Sequence, residues 1–328
     1  MVKPSPVAYT RGYSIALFSA AILSTTAIFI RHLTQTYQIP ALVLAFWRNV
    51  FVVLTVAPSL ALAFPRLLRV NRRQGAYLAG YGLVLALFNA LWTLSVSQNG
   101  AALATVLAYC SAAFTALLGR WLLKEPLGWV KLMAIVLSLA GCAVASEAFH
   151  PSAWRSNLLG ILTGVLSGLF YALYSLMGRS ASQAGLNPWT TLLYAFGFAA
   201  GFLLAFNLLS GGTVPGAAER PTDLFWLGNA WAGWATLMVL AAGPTVAGFG
   251  LYNVSLSVLP SSVANLILTT ELACTTLTAH WLLGEHLNSA QVGGSLLIVL
   301  GVVLLRVHEG RTAGQSFPTT HPVADDGV

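Results

Sequence analysis

The sequence predicts an all-α membrane protein with ten transmembrane helices, arranged as two inverted five-helix repeats. Hydrophobic residues make up 57% of the 328 residues and charged residues only 8%, whereas soluble domains carry about 25% charged residues. A soluble protein of this length could not cover its surface with so few charges. The apolar residues fall into long runs, and one stretch of sequence occurs in both halves of the chain. These observations together predict the fold class.

The repeated stretch divides the chain. It reads Trp-Leu-Leu-Lys-Glu-Pro-Leu at 121–127 and Trp-Leu-Leu-Gly-Glu-His-Leu at 281–287. Matches at the same offset continue on both sides of it, which is typical of an internal duplication. We therefore expect a short cytoplasmic N-terminus at 1–11 and a first repeat at 12–148. The second repeat is expected at 149–306, followed by a polar tail, 307–328, that is predicted to be disordered and cytoplasmic.

Each repeat contains five apolar runs, and most runs have close to the roughly 20 residues that a helix needs to cross a bilayer. They lie at 12–30, 40–63, 76–97, 101–119, 128–146, 157–178, 188–209, 231–256, 261–280 and 288–305. The runs do not alternate with a period of two, as strands of a membrane barrel would.

Two runs have irregular features. The first has the length of a signal peptide, but Arg31 closes it and no convincing cleavage site follows, so we predict a retained helix. In the eighth run, Gly243-Pro244 predicts a kink, because proline removes a backbone hydrogen bond. The kink is either static or a hinge for alternating access.

Topology follows from the distribution of Lys and Arg among the loops. With the N-terminus in the cytoplasm, twelve of these residues fall in cytoplasmic segments and only Arg31, Arg155 and Arg220 fall outside. The net charge of +7 is therefore interpreted as loop charge and not as a nucleic-acid-binding surface. Five helices per repeat invert the second repeat relative to the first, and both termini are expected in the cytoplasm.

Two ionisable side chains lie well inside apolar runs, where a central charge costs about 2.5–3.5 kcal/mol. Arg48 in the second run could bind an anionic group through its planar guanidinium. Glu271 in the ninth run could bind an amine or carry a proton. The alternative for both residues is a structural ion pair or hydrogen bonds within the bundle.

Polar and aromatic residues at similar depth are the other candidates for a substrate site. Any single one of them could instead only connect helices. The predicted substrate-binding residues are Arg48, Trp92, Tyr109, Tyr171, Tyr252, Asn253, Asn265 and Thr269, with Glu271 as the proton-coupling residue. The cysteines and histidines are scattered without the spacing of metal ligands. We expect no catalytic residues, no cofactor and no metal site.

The chain resembles the ten-helix drug/metabolite transporter superfamily, specifically the EamA group of bacterial transporters. The resemblance is carried by Ala-Phe-Trp-Arg-Asn at 45–49, by Leu-Thr-Thr-Glu at 268–271 with the following 281–285, and by the glycines of the last run at 293, 294 and 301. It departs from the family pattern at Leu272, where a proline often stands. The resemblance implies transport of small metabolites, often efflux of amino acids or related compounds.

These observations predict a secondary transporter of a small polar or amphipathic metabolite that works by alternating access, with proton coupling as one option. It would sit in a bacterial inner membrane as a monomer or homodimer, contacting its small-molecule substrate and the lipid bilayer but no nucleic acid. An intramembrane lipid-modifying enzyme is an alternative, but it would need converging catalytic groups. A non-transporting membrane scaffold is another, but it would need large soluble domains or long loops. We therefore predict that the protein is not an enzyme.

Overall fold

The computed structural model describes residues 6–99, 101–145, 158–283 and 288–315, and within these ranges the regular structure is entirely helical. The predicted all-α fold is thereby confirmed. The α-helices are α1 (Pro6–Leu23), α2 (Thr26–Tyr37), α3 (Ala41–Ala63), α4 (Arg72–Asn99), α5 (Ala101–Tyr109), α6 (Ser111–Leu122), α7 (Trp129–Ala145), α8 (Leu158–Gln183), α9 (Pro188–Leu209), α10 (Trp231–Leu240), α11 (Val246–Val258), α12 (Ser261–Leu268), α13 (Thr270–Leu283) and α14 (Ser289–Gln315).

Eight helical segments in the described residues are long and apolar enough to cross a membrane. They are Val7–Tyr37, Ala41–Ala63, Arg72–Val96, Ala104–Leu122, Leu158–Gln183, Pro188–Leu209, Trp231–Val258 and Ser289–His308. Helix α7 is also apolar but shorter. The chain is therefore a multi-pass membrane protein.

The outer face of the bundle supports a lipid environment. Leu62 and Leu209 are 88% and 85% exposed, although both are aliphatic. Trp121, Trp129 and Trp231 lie near helix ends and are likewise largely exposed. Tryptophan favours the boundary between the hydrocarbon and the water, so these positions are typical of a membrane-embedded bundle.

Several of the predicted continuous helices are broken. Helices α1 and α2 are separated at Ser24 and Thr25, so the first run is longer than predicted and contains a bend. Helices α5 and α6 meet at Cys110, and α12 and α13 meet at Thr269. The last two breaks fall at nearly equivalent positions of the two repeats, in the fourth run of each. The duplication is therefore visible in the backbone as well as in the sequence.

The predicted irregularity at Gly243-Pro244 is confirmed as a π-helical turn, Ala241–Thr245, between α10 and α11. Pro244 lacks the N–H group that would bond to the carbonyl of Leu240 in an α-helix. The hydroxyl of Thr245 donates to that carbonyl instead, at 2.9 Å. The turn thus keeps the buried backbone oxygen satisfied.

The two ends of the bundle differ in charge. We call the end that carries the turns 64–71 and 123–128 the basic end, because five of the predicted cytoplasmic Arg and Lys residues lie on or beside these turns. There the carbonyl of Leu67 accepts a hydrogen bond from Thr190 at the start of α9. Loop 210–230 closes the opposite end, where Asn207 accepts from the backbone of Ala218 at 2.9 Å.

Helix α14 continues to Gln315, so residues 307–315 of the predicted disordered tail are helical in the structure. Extending an existing helix by one residue avoids the free-energy cost of helix nucleation. A polar segment that contains no proline can therefore continue the helix. The first proline of this segment is Pro318. Residues 316–328 of the tail lie outside the described part of the chain.

Candidate functional site

A buried hydrogen-bond network, which we call the polar seam, joins α6 of the first repeat to three helices of the second. Asn265 on α12 accepts a hydrogen bond from Ser111 at 3.0 Å and donates one to Ser175 at 2.9 Å. The hydroxyls of Ser175 and Tyr252 are 2.7 Å apart. All four side chains are fully buried. Polar groups at this depth need internal partners, and the seam supplies them.

Aromatic rings from α4, α8 and α11 lie beside the polar seam. Phe88 and Tyr171 are stacked with centroids 4.8 Å apart, and Tyr81 and Tyr174 are 4.6 Å apart at a tilt. Tyr174 also lies nearly parallel to Tyr252 at 6.5 Å. We call these rings the aromatic stack. Such rings can pack against apolar parts of a ligand or against a cationic group.

Glu271 lies in the first turn of α13, directly after the break at Thr269, and is partly buried. Tyr109 is the last residue of α5, directly before the equivalent break, and is buried. The hydroxyl of Tyr109 and the carboxylate of Glu271 lie near each other. The two breaks therefore bring an acid and a phenol together inside the bundle.

Arg48 on α3 is only 8% exposed. Its Nη2 donates to the side-chain oxygen of Asn89 on α4 at 2.7 Å. Its Nε is buried and has no hydrogen-bond partner within residues 6–99, 101–145, 158–283 and 288–315, and the same is true of Nδ2 of Asn89. No acidic side chain in the described residues pairs with Arg48. Of the two structural alternatives for Arg48, the ion pair is therefore absent from the described part of the chain, and a hydrogen bond within the bundle is present.

The structure divides the predicted site residues into separate groups. The polar seam and the aromatic stack contain Tyr171, Tyr252 and Asn265, and Asn253 accepts a 3.3 Å hydrogen bond from Tyr174 of the stack. Tyr109 and Glu271 form a second group. Arg48 lies apart from both, with Asn89. Thr269 donates its hydroxyl to the carbonyl of Leu266 at 2.7 Å, so this donor serves the helix break. Trp92 is partly exposed on α4 and belongs to none of these groups.

Sequence reasoning did not single out Ser111 and Ser175. Single serines are common in apolar helices, so their residue type gave no signal by itself. Asn265 is a stronger signal, because a buried amide has several donors and acceptors to satisfy. A search of the other apolar runs for hydroxyl residues at the depth of Asn265 could have identified Ser111 and Ser175 as its hydrogen-bond partners.

A second buried polar cluster lies at the basic end, and we call it the Glu125 clasp. Glu125, in the turn between α6 and α7, accepts four hydrogen bonds from the first two residues of α12. Ser261 donates its backbone N–H at 2.6 Å and its hydroxyl at 2.7 Å, and Ser262 donates the same two groups at 3.2 and 2.7 Å. Lys131 donates to the Ser262 hydroxyl at 3.2 Å. One carboxylate therefore caps a helix of the other repeat.

A groove of about 780 Å³ lies on the flank of the bundle at the basic end. Its lining comes from the end of α3, including Val56 and Leu60, from the following turn 64–67, and from Asn187, Trp189 and Val246. None of the predicted substrate-binding residues lines it. Its position on the flank suits lipid tails better than a polar substrate.

The fold and these buried polar groups define a multi-pass helical membrane protein with ionisable side chains inside its bundle, a feature of membrane transporters. The model of the EamA-like transporter family matches residues 10–146 and 158–307. The chain therefore belongs to the EamA-like transporter family, within the drug/metabolite transporter superfamily. The predicted family membership is confirmed.

Similar proteins agree with this assignment. An uncharacterized transporter of Archaeoglobus fulgidus is 23% identical over 89% of this chain and 95% of its own length. An uncharacterized transporter of Synechocystis is 26% identical over 72% of this chain and 68% of its own length. A solved crystal structure matches 91% of the chain with a TM-score of 0.72 at 15% identity, and this likeness concerns the fold alone.

Proposed function

We propose that the protein exports a small polar or amphipathic metabolite, such as an amino acid or a related compound, by alternating access. The chain crosses the inner membrane of a bacterium ten times, and the second five-helix repeat is inverted relative to the first. The basic end and both termini face the cytoplasm, because Lys and Arg are retained on that side.

The observation that carries this proposal is the polar seam. Burying polar side chains within a membrane protein is costly, so they persist mainly where they hold helices together or meet a substrate. Ser111 from one repeat meets Asn265 from the other at 3.0 Å, beside the aromatic stack. A substrate that separates the repeats would be able to replace these hydrogen bonds with its own.

The Glu125 clasp is the closed inner gate in this proposal. It ties the α6–α7 turn of the first repeat to the start of α12 in the second, with all four hydrogen bonds buried. For the seam to be reached from the cytoplasm, the basic end has to open and the clasp has to break. The structure then corresponds to a state that is closed toward the cytoplasm.

Glu271 is the proposed proton carrier. Its carboxylate lies at a helix break beside Tyr109, where it could exchange a proton for a substrate amine. The chain has no ATP-binding motif, so a proton or substrate gradient would supply the energy.

Replacing Glu271 with glutamine is expected to abolish proton-driven transport, because the amide cannot release or take up a proton. We would measure uptake of labelled amino acids into proteoliposomes with and without an imposed pH gradient. With a gradient of about one pH unit, worth about 1.4 kcal/mol per proton, the wild type should accumulate its substrate about tenfold. Glu271→Gln should show only gradient-independent exchange.

Glu271→Asp is the matched variant, since it keeps the carboxylate at a slightly different distance. It should retain part of the gradient response. Equal gradient-driven uptake by wild type and Glu271→Gln would reject the proton-carrier role. Absence of transport of any amino acid or related metabolite by folded wild-type protein would reject the proposed function itself.

A further inference from the structure

Arg48 is a buried cation whose partner is neutral. Among the described residues, its one hydrogen bond to a side chain goes to the amide oxygen of Asn89, at 2.7 Å. Arg48 is 8% exposed and Asn89 is 3% exposed. The buried Nε of Arg48 and the buried Nδ2 of Asn89 both have no hydrogen-bond partner in the part of the chain that the structure describes. The pair therefore holds one positive charge and two donor nitrogens that have no partner among the described residues.

An arrangement of this kind is unfavourable when it is empty. Guanidinium is permanently charged, and a buried charge is normally paired or neutralised by a partner of opposite sign. Buried N–H donors are likewise almost always satisfied. Since the described residues offer no carboxylate here, a group with negative charge and two acceptor oxygens would complete the site.

We infer that Arg48 and Asn89 bind a carboxylate group of the transported molecule, an inference that rests on the proposed transport function. A carboxylate matches the single positive charge and can accept from Nε of Arg48 and Nδ2 of Asn89 with its two oxygens. A phosphate group with two negative charges would leave one charge unpaired. The substrate is thus a molecule that carries a carboxylate, such as a carboxylic acid or an amino acid, and not a compound that lacks one.

The position of the pair suits a substrate that also reaches the seam. Asn89 follows Phe88, whose ring stacks on Tyr171 at 4.8 Å. Thr93, one helical turn further along α4, lies against Gly216 of loop 210–230. The site therefore lies between the aromatic stack and the end opposite the basic end. An apolar part of the substrate would lie against the rings while its carboxylate is held by Arg48.

The test measures heat stability of purified protein with chosen probes. The probes are acetate, benzoate and L-leucine, each compared with its amide (acetamide, benzamide and L-leucinamide), and inorganic phosphate. We expect at least one carboxylate to raise the melting temperature in a saturable way while its amide does not, because a ligand that binds only the folded state stabilises it. Arg48→Gln should weaken that binding by about 30-fold or more.

Asn89→Asp keeps the inference testable if Arg48→Gln fails to fold. The new carboxylate would pair with Arg48 inside the protein, so the unliganded variant should be at least as heat-stable as the wild type. It should also lose the stabilisation by carboxylates. Asn187→Asp adds the same charge at the start of α9, away from the site, and should respond to carboxylates like the wild type.

Four results would overturn the inference: no stabilisation by any carboxylate, an equal response in Asn89→Asp, a less stable Asn89→Asp, or stronger binding of phosphate. Transport of a metabolite that has no carboxylate, together with no binding of carboxylates, would reject this site and leave the proposed function standing. Carboxylate binding without any transport would support the binding site and reject the proposed transport function.

Discussion

Replacing Gly294 with alanine is expected to destabilise the folded protein by about 3 kcal/mol, although alanine is the better helix former. Helices α7 and α14 approach each other so closely that a Cβ atom at Gly294 would collide with the backbone of α7. It would lie 2.6 Å from the carbonyl oxygen of Gly141 and 2.7 Å from Cα of Ala145. Backbone cannot move aside as a flexible side chain can, so the two helices would have to separate.

Gly293 provides the matched control, because a Cβ atom there would meet nothing within 4 Å. Gly293→Ala should therefore leave stability unchanged or raise it by up to about 1 kcal/mol. Thermal unfolding of both variants in detergent, followed by tryptophan fluorescence, would compare them directly. Equal melting temperatures for Gly293→Ala and Gly294→Ala would show that α7 and α14 are not in close contact.

The same two glycines illustrate what the sequence can and cannot predict about this fold. Small residues in the last apolar run predict close helix packing, since they let backbones approach. The run does not say which of two adjacent glycines faces the partner helix, because that depends on the rotation of α14. The structure shows that Gly294 is the one that faces α7, against the backbone of Gly141 and Ala145.

The helix breaks were missed for a different reason. A long apolar run predicts the length of a buried segment, and it carries no information on the hydrogen bonds within it. At two of the breaks, hydroxyl groups donate to the carbonyl three residues earlier: Ser24 and Thr25 between α1 and α2, and Thr269 and Thr270 between α12 and α13, each at 2.7 Å. Such bonds compete with the helix and bend it. Adjacent hydroxyl residues inside an apolar run were therefore the available signal.

The candidate site was predicted better as a list of residues than as an arrangement. Asn265 and Tyr252 could be selected because polar groups at mid-depth need a reason to be there. Their contacts depend on how α6, α8, α11 and α12 cross, and Ser111 is 154 residues away from Asn265 in the chain. Sequence analysis also did not select Glu125, because its partners are 136 and 137 residues away.

Replacing Glu125 with glutamine is expected to open the basic end and to impair transport severely. The carboxylate accepts four hydrogen bonds from Ser261 and Ser262. A glutamine side chain has one oxygen, and its NH₂ group would face donors where the second oxygen now accepts. The donors left without an acceptor cost about 1–3 kcal/mol each while they stay buried. The closed state should therefore lose about 3 kcal/mol relative to a state in which water reaches the start of α12.

Two further variants distinguish the effect of the Glu125 carboxylate from the effect of the serine hydroxyls. Ser261→Ala combined with Ser262→Ala removes the hydroxyls but leaves both backbone N–H bonds to Glu125, so its effect should be smaller. Glu219→Gln makes the same chemical change in the exposed loop at the opposite end, and it should behave like the wild type. The expected order of transport rates is wild type and Glu219→Gln first, the double serine variant next and Glu125→Gln last.

A cysteine at Ser111 would report on the gate itself, because this position lies in the polar seam and is fully buried. The native cysteines would be replaced, and a membrane-impermeant maleimide would be applied to the cytoplasmic face of inside-out vesicles. Each 1.4 kcal/mol by which the closed state is destabilised relative to the open state makes the open state about tenfold more populated. Glu125→Gln should therefore raise the labelling rate at position 111 by at least about tenfold, and Glu219→Gln should not. An unchanged labelling rate together with a lower melting temperature would mean that the clasp only stabilises the fold and that the gate lies elsewhere.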